Sequence, residues 1–117
     1  MATQNIVKDK STEFALKIIS LCDVLNCHKE FVLSKQLLRS GTSIGANISE
    51  SKHAESRADF IHKLSISLKE AYETEYWLHL LVESRKISQK DYKELSLLNQ
   101  DIIKLLCSII LSSKNKK

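Results

Sequence analysis

The chain has 117 residues, 43% hydrophobic and 27% charged, which suits one domain and leaves no room for a second of ordinary size. It holds no proline and two glycines, against about 7% glycine and 5% proline in an average chain, so turn-rich sandwiches, small barrels and glycine-rich phosphate loops are nearly excluded. The formal net charge of +4 rests mostly on Lys114, Lys116 and Lys117, because residues 1–113 carry 15 basic and 14 acidic side chains; the body alone does not announce a nucleic-acid binder.

Phe14, Ile18, Leu21, Cys22 and Leu25 recur at steps of three and four, which predicts a first helix over about 10–26. Leu33, Leu37, Gly41, Ile44 and Ile48 continue the pattern in a second helix over about 30–51. Each glycine inside it costs about 1 kcal/mol relative to alanine, so Gly41 and Gly45 are expected where another backbone approaches closely. Ser56 followed by Asp59 is an N-cap signal for a third helix over about 57–85, with a stripe of Phe60, Leu64, Ser67, Ala71, Leu78 and Val82. Ser88 and Asp91 repeat the signal for a fourth over about 88–113, lined by Tyr92, Leu95, Ile102, Leu106 and Ile109, and the basic tail 114–117 is expected to fray. Short connections force sequential helices to lie antiparallel. The predicted fold is therefore all-α, a single up-down-up-down four-helix bundle, elongated by its long third helix; a helical solenoid is the weaker alternative, since no repeat is present.

Glu75 falls within the apolar stripe of the third helix, where a carboxylate needs donors. Gln36, Arg39, Ser40, Ser43, Asn47 and Glu50 form a polar stripe on the second helix. A network of Ser43, Asn47, Glu50 and Glu75 is expected between these helices, with Asn47 as the direct partner of Glu75, helped by Ser43 or Arg39; the alternative is that Glu75 leans into water. Tyr72, Tyr76, Trp77 and Leu81, with leucines of the fourth helix, exceed what one bundle interior can take. They are candidate oligomer-interface residues, Trp and Tyr being enriched in such surfaces.

Cys22, Cys27 and Cys107 are odd in number and lack C-x-x-C spacing, which signals neither a disulfide framework nor a zinc module. No apolar signal core begins the chain and no stretch approaches the roughly 18 uninterrupted apolar residues of a membrane span, so a cytoplasmic protein without a membrane partner is expected. Glu50-x-x-His53 and Asp59-x-x-His62 resemble di-iron spacing, but they flank one turn rather than face inward from two helices. No catalytic triad has local support, and neither an enzyme nor a cofactor is expected. Candidate nucleic-acid contacts are Lys35, Arg39, Lys52, Arg57, Lys63, Lys114, Lys116 and Lys117. The plainer reading makes them solvated surface charges, although repetition in an oligomer would add weak contacts together.

The run from Gln36 to Glu50, QLLRSGTSIGANISE, with DFIHKL from Asp59 and LKEAYETEYWL from Leu68, closely resembles the bacterial four-helix-bundle family of 23S rRNA intervening sequences. The likeness spans nearly the whole chain, and Ser43, Asn47, Glu50 and Glu75 match its pattern position by position. Ser51 and Ser67 depart from it where many relatives carry smaller residues. The resemblance implies an up-down bundle assembled as a ring, a homopentamer. It also implies a distant likeness to the accessory protein of diversity-generating retroelements, a basic pentamer that binds nucleic acid and partners a reverse transcriptase. The family's ribosomal label reflects where its genes lie. Together these readings predict a non-enzymatic homo-oligomer associated with RNA or DNA, or alternatively a protein–protein scaffold.

Overall fold

Serine caps start the two later helices where the spacing predicts them. Ser56 accepts a hydrogen bond from the Asp59 N–H at 3.0 Å, and Ser88 accepts one from the Asp91 N–H at 3.0 Å. In the computed structural model, which describes residues 2–116, four helices follow one another: α1 (Ala2–Cys27), α2 (Phe31–Ser51), α3 (Arg57–Glu83) and α4 (Gln89–Lys114). They form an antiparallel four-helix bundle of 50 × 22 × 19 Å. Each helix packs on its neighbours in chain order, and α4 closes on α1. The pairing is visible in side-chain contacts: Cys22 with Ser34, Ser40 with Thr74, Glu75 with Ser96, and Lys17 with Glu94.

α1 begins eight residues earlier than its apolar pattern predicts. Val7 and Ser11 are both 1% exposed and extend the inward stripe of Phe14, Ile18, Cys22 and Leu25 by two turns. A serine in an inward position concealed that continuation. Ser11 faces Gly45, where an added Cβ would stand 3.3 Å from the Ser11 Oγ. At Gly41 the added Cβ would lie 3.0 Å from an Ile18 methyl. Gly45 therefore serves the expected close approach to another backbone, that of α1 at Ser11, whereas Gly41 makes room for the Ile18 side chain of the same helix.

The core is continuous from end to end, with Phe14, Ile18, Leu37, Ile44, Leu64, Leu78, Ile102 and Leu106 fully buried. Leu81, expected at a subunit interface, is also fully buried in this core. It lies on the flank of α3 that packs against α2, together with Thr74, whose hydroxyl donates to Ser40 Oγ at 2.9 Å. α4 is long and apolar enough, by length and composition, to cross a membrane. In the bundle its apolar stripe joins the core, and Ser96 and Asn99 turn toward α3.

α1 and α3 end in the same way. Lys29 and Arg85 both adopt φ 62°, and the following N–H groups of Glu30 and Lys86 reach back to the Leu25 and Leu81 carbonyls at 2.9 Å. This arrangement satisfies carbonyls left open at a helix end. Lys86 then joins the two turns through Glu30, Nζ to Oε1 at 2.6 Å.

Candidate nucleic-acid interface

The antiparallel order sorts the charges by level along the bundle. The half around the α2–α3 turn, comprising residues 2–13, 42–69 and 101–116, holds nine Lys/Arg against six Asp/Glu. The remaining half, residues 14–41 and 70–100, holds eight of each. The net charge of the described residues thus resides at one end, although sequence order scatters the contributing lysines over the whole chain.

Lys52 stands in the α2–α3 turn, Arg57 opens α3, Lys114 closes α4, and all three are exposed. The Arg57 guanidinium donates to the Lys116 carbonyl at 2.6 Å, tying the chain's end to the start of α3. α4 runs through Lys114, with the Asn115 N–H bonded to the Leu111 carbonyl at 3.2 Å, so the helix reaches further into the basic tail than expected. Lys117 lies outside the described residues. Lys8, which is not among the predicted contacts, joins this cluster from α1. The neighbouring Lys8 ammonium, by side-chain proximity first and charge repulsion second, holds Lys52 below the ordinary lysine range, with Asp9 acting more weakly in the opposite sense. The antiparallel register alone would have revealed Lys8, since Ser11 opposite Gly45 puts it one turn from Lys52.

Three predicted contacts are engaged or placed elsewhere. Lys63 pairs with Glu50 at 3.1 Å. Lys35 lies in the balanced half of the molecule. Arg39 is also there, and it bridges to Glu70 at 3.2 Å and to Glu73 of α3, so two carboxylates offset its charge. Glu73 accepts in addition from the Trp77 indole N–H at 3.0 Å. That bond, and packing against the core, hold Trp77 half-buried, whereas Tyr72 and Tyr76 are more than half exposed.

The polar network differs from the expected one. Asn47 donates to the Ser43 carbonyl at 2.9 Å and Ser43 to the Arg39 carbonyl at 2.6 Å, both within α2. Glu75 faces α4 instead, where its carboxylate accepts from Ser96 Oγ at 2.7 Å, Asn99 Nδ2 at 3.2 Å and the Tyr92 hydroxyl at 3.3 Å. Asn99 also donates to the Ala71 carbonyl at 2.9 Å, and its Oδ1 is buried without a partner. Four neutral polar groups and one carboxylate thus hold the α3–α4 seam, with no cation in it.

Among the described residues no group of three or more His, Cys, Asp or Glu side chains stands close enough together to hold a metal ion. Cys22 is buried, donates to the Ser34 carbonyl at 3.4 Å, and has its thiol pushed up by burial; Cys27 and Cys107 are exposed.

The family model of 23S rRNA-intervening sequence proteins matches residues 3–108. The chain belongs to that family. The match takes in α1 from near its start, including the two turns that the apolar pattern did not foretell. No curated protein matches the chain. Its fold is similar to the crystal structure of a protein with unknown function from the S23 ribosomal protein family of Bacteroides thetaiotaomicron. The two share 57% identity over 92% of this chain and 97% of that one, with a TM-score of 0.90.

Proposed function

We propose that this member of the family is a non-enzymatic, homo-oligomeric bundle that associates with RNA or DNA through its lysine-rich half. The observation that carries this reading is the exposed cluster of Lys8, Lys52, Arg57, Lys114 and Lys116 at one end, in the half where basic side chains outnumber acidic ones nine to six. An approaching phosphate is neutralised by these cations and releases counterions, so binding is electrostatic and only weakly selective for sequence.

Self-association uses the other half. Of eleven exposed large hydrophobic residues, nine lie in the balanced half: Leu16, Ile19, Val24, Phe31, Val32, Leu38, Tyr72, Tyr76 and Leu97. Six of these are on α1 and α2 and three on α3 and α4, the helices on which the sequence places the surplus. A cyclic pentamer packed through this apolar surface would repeat the basic end five times and multiply weak phosphate contacts. The same surface favours the alternative, a cytoplasmic scaffold that binds another protein and no nucleic acid.

A salt titration of binding to structured RNA and duplex DNA, with sedimentation of the free protein, tests both parts. The expected outcome is an oligomer whose log affinity falls linearly with log salt. A monomer at micromolar concentration refutes the assembly. Binding indifferent to salt, or none at low salt, transfers the function to the protein scaffold.

A further inference from the structure

Between α1 and α2 a groove of about 210 Å³ runs from the lysine-rich end toward the middle of the bundle. It exists because Gly45 carries no side chain and lets the two helices approach. Lys8 stands along it, and Lys52 lies three residues beyond Ser49, the α2 residue that lines it nearest the α2–α3 turn. Thr12 and Thr42 line its walls from opposite helices.

Those two threonines have already committed their protons. Thr12 Oγ1 donates to the Lys8 carbonyl at 3.0 Å, and Thr42 Oγ1 donates to the Leu38 carbonyl at 2.7 Å. What each hydroxyl offers to the groove is therefore its lone pairs. A groove with cations toward one end and acceptors on its walls matches a ligand carrying an anion beside a hydroxyl donor. The volume is below that of pockets that enclose a drug-sized molecule, so it suits a sugar–phosphate unit laid along the surface rather than an engulfed base. In nucleic acids, the donor next to a phosphate is the ribose 2′-OH, the group by which a protein tells RNA from DNA.

We propose that the α1–α2 groove seats one ribose–phosphate unit of an RNA strand, with Lys8 and Lys52 on the phosphate and either the Thr12 or the Thr42 oxygen accepting the single proton of the 2′-OH. This rests on the reading of the lysine-rich half as a nucleic-acid surface and adds to it a preference for RNA.

The test is fluorescence anisotropy with the full chain and three single strands of about twelve adenosines, as RNA, DNA and 2′-O-methyl RNA. RNA is expected to bind about three- to tenfold more tightly than DNA, the value of one hydrogen bond. The 2′-O-methyl strand, which lacks the donor, is expected to lose that advantage. Thr12→Val with Thr42→Val, checked for unchanged helicity, should bring RNA down to the level of DNA while leaving DNA binding as it was. Lys8→Gln with Lys52→Gln should lower the slope of log affinity against log salt by about 0.7 for both strands, the value of one phosphate neutralised on a single strand. Equal affinity of the unmodified protein for RNA and DNA overturns the groove assignment and leaves the proposed function standing. An RNA preference that survives the valines, a 2′-O-methyl strand that binds like RNA, or a slope unchanged by the glutamines does the same. Absence of binding to every strand at low salt removes both.

Discussion

The two halves of this bundle use polar residues for different ends. In the balanced half Arg39 pairs with Glu70 and Glu73, Lys86 with Glu30 and Lys17 with Glu94, and Glu75 accepts from Tyr92, Ser96 and Asn99, while Lys29, Lys35, Arg85, Lys90 and Lys93 are exposed. In the lysine-rich half Lys63 and Lys10 have carboxylate partners, at 3.1 and 3.8 Å, while Lys8, Lys52, Lys114 and Lys116 are exposed. Under the proposed function, the seam of Glu75, Ser96 and Asn99 holds helices in register in one half, and the exposed lysines of the other half meet nucleic acid. Substitutions in one half should therefore alter stability, and substitutions in the other should alter binding.

The largest effect expected is on binding. Lys52→Glu with Lys114→Glu should weaken RNA binding on the order of 100-fold at low salt, because each change removes an attraction and adds a repulsion. The same reversals at Lys29 and Lys90 in the balanced half should change it less than about threefold. Equal losses from the two pairs, measured by anisotropy, would break the comparison.

The next effect is on stability. Asn99→Ala withdraws donors from the Glu75 carboxylate and the Ala71 carbonyl, and should cost about 2–3 kcal/mol in denaturant unfolding. Asn47→Ala, which removes only a bond within its own helix, should cost about 0.5 kcal/mol or less. Neither should alter the salt dependence of binding. A cost for Asn47→Ala as large as that for Asn99→Ala would restore the α2–α3 network that the sequence suggested.

A smaller gain should come from the two turns of the balanced half. Lys29 and Arg85 hold a left-handed conformation that disfavours a side chain by about 1–2 kcal/mol. Glycine relieves this but loses more freedom on folding. Lys29→Gly and Arg85→Gly should each raise stability by roughly 0.5–1 kcal/mol, read as a higher Tm.

The smallest effect concerns pH. Lys17 holds the Glu94 carboxyl below its ordinary value, by a hydrogen bond first and by its charge second. A carboxyl depressed in the folded state contributes stability above its unfolded value and loses it as pH falls through the folded one. Glu94→Gln should therefore flatten a slight loss of stability in the acid range. Because both groups are exposed, that loss should fade with added salt.

Much of the fold was legible because helix signals are local. Ser56 and Ser88 cap α3 and α4 as their spacing with Asp59 and Asp91 predicts. The stripes of Leu37, Ile44 and Ile48 and of Leu64, Ala71 and Leu78 are the buried ones. The first two turns of α1 escaped because their inward positions hold one valine and one serine, too few apolar residues to mark a period. That omission left Lys8 outside the predicted helix, although Ser11, Thr12, Ala15 and Leu16 of the same groove wall lay within it.

What the sequence determined by itself is the set of helices, their inward faces and their antiparallel order, since periodicity, caps and short connections act between near neighbours in the chain. What only the tertiary structure decided is which flank of a helix meets which neighbour. The third helix has an inward stripe with two flanks. The apolar pattern does not distinguish a bundle in which the Glu75 flank meets the second helix from one in which it meets the fourth, because the two differ only in handedness. The observed packing puts Thr74 and Leu81 against α2 and Glu75 against α4. It also brings lysines from three distant stretches of chain to one end, and neither result is encoded in the spacing of residues along a single helix.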